Sequence, residues 1–173
     1  MKNPFKKCPE FKTDSFLIRL VSEKDSEGLF HCYHDKTAVQ FMNDDNCDFG
    51  FYVDSQDKML ETIRYWIEFY KQQAFIRFSV IDKLTGEAVG TIEGFAGETG
   101  VLRVDLRKEF EKENYLSEIF IFAHTNFFDL FGNKNLVTKA IEEAVQRRAA
   151  LMSCGWEFID SYKTFKGYYR INL

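Results

Sequence analysis

The side chains of this chain that are best suited to chemistry lie between Glu93 and Ser117. Glu93 and Asp105 are carboxylates near the ends of apolar runs, where each is able to accept a proton directly or through water. Lys108, Lys112 and Ser117 add donors that suit a phosphate group. The residues therefore indicate an anion-binding segment beside candidate proton acceptors, although a surface charge at a strand end is the favoured interpretation of each acid taken singly.

A strand and a helix must position these residues. Residues 101–106 alternate apolar with charged side chains, which predicts a strand with one buried face. From Tyr115 onward, apolar side chains recur at helical spacing, and Asn114 is the predicted cap. The first amides of such a helix have no intrahelical partners and carry the positive end of the dipole, so the junction predicts a phosphate site.

The rest of the chain alternates strand-like and helix-like segments, which favours an α/β fold. The Asp82–Gly86 segment predicts a hairpin turn with Gly86 in the left-handed conformation. Strands are predicted at 16–21, 75–81, 87–92, 136–140 and 156–159, with an edge strand at 168–171. Further helices are predicted from Ser22 toward His34, at 59–73 and at 141–153.

Four phrases, spread over roughly residues 15–160, resemble one protein family. They are FLIRLVSEKDSEGLFHCYHDKTAVQFM, FSVIDKLTGEAVGTI, DLRKEFEKENYLSEIF and LMSCGWEF. Together they resemble the GNAT superfamily of acyl-CoA-dependent N-acyltransferases, especially the branch that contains the ribosomal-protein N-terminal acetyltransferases. The resemblance implies a single domain over residues 1–173, with 1–14 as an N-terminal extension. It also implies a central, mixed and mostly antiparallel sheet of roughly six to seven strands, flanked by about four helices.

The resemblance further implies a cofactor and a reaction. Acetyl-CoA would be the cosubstrate, and a primary amine of a peptide terminus or small molecule would accept the acetyl group. Glu93 and Asp105 are the catalytic candidates, as acceptors of the amine proton. The cofactor-binding candidates are Val104, Asp105 and Leu106, through their backbone groups, and Lys112, Asn114, Tyr115, Leu116 and Ser117 in the loop and the helix.

The cofactor loop departs from the family pattern. Glu111 stands where an Arg is common, and Lys112, Asn114 and Leu116 stand where small residues are common. A carboxylate at Glu111 would repel a diphosphate, and the loss of glycine removes backbone conformations with positive φ. The loop is therefore degenerate relative to the family.

A second motif departs in the same direction. Ala144 occupies the position of an Asn that in many relatives touches the pantetheine arm, and Leu151 occupies that of the usual general-acid Tyr. Two functions stay open as a result. The first is an N-acyltransferase with an atypical loop. The second is a catalytically impaired protein of the same fold with a binding or regulatory role, for example through formation of a homodimer or capture of another ligand.

The composition of the chain indicates which binding partners and which cellular location to expect. The formal net charge of −4 gives no overall attraction to nucleic acid or to an anionic membrane. The basic N-terminal segment lacks the apolar core of a secretory signal, so a cytoplasmic location is expected. The acidic run from Asn43 to Asp48 would attract a cationic amine, although a solvated turn is the favoured interpretation.

No metal site is predicted. His31, Cys32 and His34 are close in sequence, but no second pair of ligands lies near them, so they are interpreted as incidental polar residues.

Overall fold

The computed structural model describes residues 3–48 and 50–173. Within these residues, nine strands form two sheets, namely β1 (Phe11–Lys12), β2 (Phe16–Leu20), β3 (Ile76–Asp82), β4 (Ala88–Gly94), β5 (Thr99–Val101), β6 (Arg103–Leu106), β7 (Asn135–Lys139), β8 (Glu157–Tyr162) and β9 (Phe165–Asn172). The first sheet has the order β1-β2-β3-β4-β6 and is antiparallel throughout. The second has the order β5-β7-β9-β8, in which β5 and β7 are parallel and the other pairs antiparallel.

Helices cover both faces of the first sheet. The described residues form α1 (Ser26–Tyr33), α2 (Lys36–Val39), α3 (Gln56–Lys71), α4 (Glu113–Phe131) and α5 (Val145–Ser153), with 3₁₀ turns at Glu23–Asp25 and Lys108–Phe110. α4 packs on the apolar side of the sheet, and α1 and α3 pack on the other side in a separate apolar cluster. None of the helices in these residues combines the length and the apolar character that crossing a bilayer requires.

The predicted strand over 101–106 is interrupted, and this interruption separates the two sheets. Leu102 lies between β5 and β6, where its N–H donates to the Val137 carbonyl at 2.8 Å. The Thr138 hydroxyl donates to the Leu102 carbonyl at 2.9 Å. β6 then turns to pair with β4 while β7 continues in the second sheet. The space between β6 and β7 beyond Leu102, which we call the strand gap, is the main irregularity of the sheet.

The predicted α/β fold class is confirmed, and the predicted hairpin is present with Gly86 at φ +76°. Besides the interrupted strand, three local predictions are wrong. The cap of α4 is Lys112, in extended conformation, and not Asn114. The helix predicted at 141–153 begins only at Val145, and the residue before it, Ala144, has a non-helical backbone. The third concerns β9, which lies between β7 and β8 because both of its edges are paired, and is therefore not an edge strand.

The N-terminal extension is partly integrated into the fold. Residues 11–12 form β1, which pairs with β2, and Phe5 and Cys8 pack against the main apolar cluster. Burial raises the pKa of the Cys8 thiol to about 12. This thiol is therefore protonated at neutral pH.

Candidate functional site

The outer edge of β6 presents backbone groups to the strand gap. Arg107 N–H donates to the Val89 carbonyl at 2.8 Å, and Thr91 lies opposite Asp105 in the register. Hydrogen-bonded pairs alternate along an antiparallel ladder, so the odd-numbered residues of β6 bond to β4. The N–H and C=O groups of Val104 and Leu106 therefore point into the gap, while those of Asp105 point to Thr91.

An ion pair from two distant segments occupies this edge. Arg147, near the start of α5, donates from Nη1 to the Val104 carbonyl at 2.8 Å. Its Nε donates to Glu111 Oε2 at 3.3 Å, and its Nη2 contacts Glu111 Oε1. Arg147 is 1% exposed and Glu111 is 8% exposed. The expected electrostatic effect of Glu111 on a diphosphate is thus largely cancelled by Arg147, because the carboxylate turns inward to the guanidinium.

The N-terminus of α4 lies beside this pair. Glu113 N–H donates to the Gln146 side chain at 3.1 Å, and Leu116 N–H donates to the Lys112 carbonyl at 3.0 Å. Within the described residues, the N–H groups of Asn114 and Tyr115 have no hydrogen-bond partner. Such amides at a helix N-terminus favour an anion.

A small cavity of about 80 Å³ adjoins the ion pair. Its wall includes Glu111, Arg147 and Ala144, together with Phe41 and Lys108, whose Nζ lies 3.9 Å from the centre of the Phe41 ring. Pockets for cofactors usually measure roughly 300–1,000 Å³. The cavity is therefore too small for a cofactor in this conformation.

The remaining predicted loop residues fall into two groups. Lys112 and Asn114 are exposed, whereas Leu116 is fully buried in the main apolar cluster. Tyr115 packs against aromatic rings, with centroids 5.6 Å from Phe16 and 5.2 Å from Phe110.

Neither Ser117 nor Leu151 is exposed. The Ser117 carbonyl accepts a hydrogen bond from Cys154 Sγ at 3.7 Å, and the Ser117 side chain is half-buried. Leu151 is fully buried in the main cluster. This position therefore offers no proton donor.

The side of the first sheet that faces α1 and α3 carries a buried polar layer. The alternation along residues 101–106 predicts that Arg103 and Asp105 lie on the exposed face of a strand, but both are buried because α1, α3 and the loop after α2 cover them. The sequence signal for this buried layer is a polar residue at alternate positions in β3, β4 and β6, which are neighbours in the first sheet. The register aligns them in two rows, Arg77–Glu93–Arg103 and Ser79–Thr91–Asp105.

Glu93 is fully engaged by arginines. Its Oε2 lies 2.7 Å from Arg77 Nη2, and its Oε1 pairs with Arg103 Nη1. Arg77 also lies over the Trp66 ring, with 4.6 Å from its Cζ to the ring centre. Both oxygens of Glu93 are therefore occupied.

Asp105 has one free oxygen. Its Oδ2 accepts from Arg77 Nη1 at 3.0 Å and from the Tyr33 hydroxyl at 2.7 Å, while its buried Oδ1 has no partner among the described residues. Burial raises the pKa of Asp105 above its usual value, against the opposing effects of Arg77 and Tyr33. Of the two predicted catalytic acids, Asp105 is thus the one with an unused acceptor.

Residues 41–48, which we call the strap, connect the two sheets. Arg103 donates to the carbonyls of Asn43 and Asp45 at 3.0 Å each. The Asp45 carboxylate lies 2.7 Å from Lys139 Nζ and accepts from the Tyr168 hydroxyl at 3.0 Å. The acidic run is therefore not a wholly solvated turn, since Asn43 and Asp45 are buried and bonded to both sheets.

A separate ion pair fixes the start of α1. Arg19 donates to Asp25 at 2.6 Å and 2.9 Å, and Ser79 Oγ donates to the same carboxylate at 2.7 Å. Burial alone would raise the pKa of Asp25, but these hydrogen bonds and the one from Ser22 N–H outweigh it and lower the pKa. Asp25 is therefore stabilised as a carboxylate.

His31, Cys32 and His34, which are close in sequence, differ in their surroundings. His31 and His34 are exposed, Cys32 is buried in the core, and His34 Nδ1 is 2.8 Å from the Val53 carbonyl oxygen. In the part of the chain that the structure describes, no three His, Cys, Asp or Glu side chains are grouped to hold a metal ion.

Sequence comparison gave no relatives: neither a protein-family model nor a curated protein matches the chain. Solved structures do match over nearly the whole length. A GNAT-family acetyltransferase from Bacillus anthracis has a TM-score of 0.73 at 15% identity and covers 95% of this chain and 98% of its own. The ribosomal-protein-S5-alanine acetyltransferase from Vibrio fischeri has a TM-score of 0.69 at 11% identity, covering 95% and 96%. A ribosomal L7/L12 alpha-N-protein acetyltransferase in complex with coenzyme A has a TM-score of 0.72 at 12% identity, covering 95% and 98%. The chain therefore has the fold of the GNAT acetyltransferases, which confirms the resemblance at the level of the fold.

Proposed function

We propose that this chain binds an acyl-CoA and transfers its acyl group, chiefly acetyl, to a primary amine of a peptide terminus or small molecule. The observation that carries the proposal is the strand gap itself. The unpaired edge of β6 ends beside the unpartnered amides of α4, so a ligand with amide groups and a phosphate would find partners for both. The fold neighbours include an acetyltransferase in complex with coenzyme A.

The chemistry requires three contributions. The neutral amine attacks the thioester carbon with its electron pair, the C–N bond forms, and the C–S bond then breaks to release the CoA thiolate. Backbone N–H groups of β6 that face the gap would stabilise the oxyanion of the tetrahedral intermediate. Asp105 would accept the amine proton, directly or through water, because its Oδ1 is free and its pKa is raised by burial. Glu93 is the weaker candidate, since both of its oxygens are bound by arginines.

Titration of the full chain with acetyl-CoA tests the binding step. A ligand at about 100 times its dissociation constant adds roughly 2.7 kcal/mol to the free energy of unfolding. For a chain of this size, that corresponds to a rise in Tm of about 5–11 °C. Calorimetry should give a micromolar dissociation constant, and thiol release with amine and N-terminal peptide acceptors should report transfer.

The Asp105→Asn variant tests the proton acceptor. We expect transfer to fall by about 10²–10⁴-fold, with acetyl-CoA affinity within about twofold of the wild type. Glu93→Gln is the matched variant and should affect transfer less. Thermal unfolding of both variants controls for loss of the fold, and equal transfer by Asp105→Asn and the wild type would remove Asp105 from the mechanism.

One observation favours a second function. Arg147 already takes the Val104 carbonyl, and the adjoining cavity is only about 80 Å³. A chain that keeps this arrangement would bind CoA weakly or not at all and would use the fold for binding or regulation. No affinity for acetyl-CoA or longer acyl-CoAs, together with an intact fold, would support this function and reject the first.

A further inference from the structure

In the Glu111–Arg147 pair, a carboxylate of the protein itself occupies a position that suits an external anion. A guanidinium stays charged at all physiological pH values, so a fully enclosed Arg147 requires an anion beside it. Glu111 supplies a carboxylate that meets two of its donors, Nε and Nη2. A phosphate group would meet the same donors in the same geometry.

The surroundings of Glu111 also suit a larger anion. The unpartnered amides of Asn114 and Tyr115 are close along the chain, and Lys108 lines the same cavity as the ion pair. Glu143 also lines this cavity and is exposed, so it opposes an anion only weakly. The positive partners therefore outnumber the one remaining acid on the wall.

Glu111 is positioned so that it is able to leave. It lies in the short joint between the 3₁₀ turn 108–110 and the start of α4, next to the exposed Lys112. Glu111 is 8% exposed, whereas Arg147 is 1% exposed and is anchored to β6 through the Val104 carbonyl. Rotation of Glu111 into solvent would extend the 80 Å³ cavity toward Arg147 without moving a strand.

We infer that Arg147 is the phosphate-recognising residue of the strand gap and that Glu111 is an internal competitor, which a diphosphate group displaces on binding. This rests on the proposed function only for the identity of the natural ligand, an acyl-CoA. A permanent plug is the opposite arrangement, in which Arg147 blocks the gap. The two make opposite predictions for Arg147: its loss weakens ligand binding in the first case and strengthens it in the second.

Calorimetry with inorganic pyrophosphate and with CoA tests the inference on the full chain. We expect Glu111→Gln to bind both ligands at least tenfold more tightly than the wild type, because the competitor has lost its charge. The double variant Glu111→Gln, Arg147→Met removes both charges of the pair, so it leaves no buried ion without a partner. We expect this variant to fold and to lose the gain entirely. Glu109→Gln is the matched control, since it removes one exposed acid from the same turn, and its affinities should stay within twofold of the wild type.

Each result decides the matter. Unchanged affinity in Glu111→Gln, an equal gain in Glu109→Gln, or tighter binding by the double variant than by Glu111→Gln would overturn the inference. A gain for CoA without one for pyrophosphate would also overturn it, because recognition would not then involve phosphate. If the variants show the expected affinities but no acyl transfer is detected, the proposed enzyme activity is rejected and the anion site at Arg147 is retained. If acyl transfer is detected but the variants show none of the expected affinity changes, the enzyme activity is retained and the inference about Arg147 and Glu111 is rejected.

Discussion

Truncation of Leu116 to alanine is expected to destabilise this protein strongly, although the position aligns with a small residue of a cofactor loop. Leu116 lies on the first turn of α4 and is fully buried in the main apolar cluster. If the residue belonged to a solvent-facing loop, its truncation would change the free energy of unfolding by no more than about 0.5 kcal/mol. The measurement therefore separates a core position from a ligand-binding position.

The expected magnitude follows from burial. Removing a fully buried leucine side chain loses roughly 1.5–3 kcal/mol of transfer free energy, and the cavity that remains brings the usual total to about 2–5 kcal/mol. The neighbouring side chains on α4 are large aromatic and aliphatic groups, which collapse only partly around a void. We expect a loss of about 3 kcal/mol, which corresponds to a fall in Tm of about 6–12 °C.

Ile121→Ala is the matched control for Leu116→Ala. It removes an aliphatic side chain of the same size from the same helix, but Ile121 is 56% exposed. Urea unfolding of both variants, followed by circular dichroism, should give a loss for Ile121→Ala within about 0.5 kcal/mol of zero. A loss below about 1 kcal/mol for Leu116→Ala, or equal losses for the two variants, would refute the placement of Leu116 in the core.

The remaining predictions concern the pH dependence, the sheet and the thiols. Asp25→Asn should lower the free energy of unfolding at pH 7, and the difference from the wild type should shrink as the pH falls below the usual aspartate value of 3.8. The pKa of Asp25 is lower in the folded protein than its usual value of 3.8. The carboxylate therefore stabilises the fold fully above pH 3.8, and this stabilisation is lost as the pH falls through the lower pKa of the folded state. Gly90→Ala should cost about 2–3 kcal/mol, because an added Cβ would overlap a main-chain oxygen of β6, whereas Gly50→Ala, with no atom near the added Cβ, should be neutral. Cys8 should react with a disulfide reagent at pH 8 more slowly than the exposed Cys47, because Cys8 is less accessible and burial, which raises the pKa of both thiols, raises that of Cys8 to about 12.

A specific result would contradict each of these three predictions. A constant difference between Asp25→Asn and the wild type from pH 7 to pH 2 would mean that the carboxylate is not stabilised by its partners. Equal stability of the two glycine variants would place β6 farther from β4 than the register indicates. Equal labelling rates of the two thiols, measured in the Cys8→Ser and Cys47→Ser variants, would remove the burial argument for Cys8.

Much of the fold was predictable from local patterns. The period of the apolar residues identifies α3 and α4, and Asp82–Gly86 identifies the hairpin between β3 and β4, because these features depend on neighbours within one turn. The junction of β6 and α4, where we propose an anion site, was predictable for the same reason, since the strand, the loop and the helix that form it are consecutive. The element boundaries were less accurate at Lys112 and Ala144, where the start of a helix depends on contacts with other segments.

The properties of the site were decided by tertiary structure. Glu111 was predictable as a charge but not as a neutralised one, because Arg147 is 36 residues away along the chain. Asp105 was predictable as a strand acid, but its burial comes from the helices that cover the sheet, and this burial raises its pKa against the opposing effects of Arg77 and Tyr33. The sequence by itself therefore determined which elements form and which residues could carry charge. Only the folded structure determined which of those charges are paired, desolvated or free, because desolvation and ion pairing depend on groups that the fold brings together from distant positions.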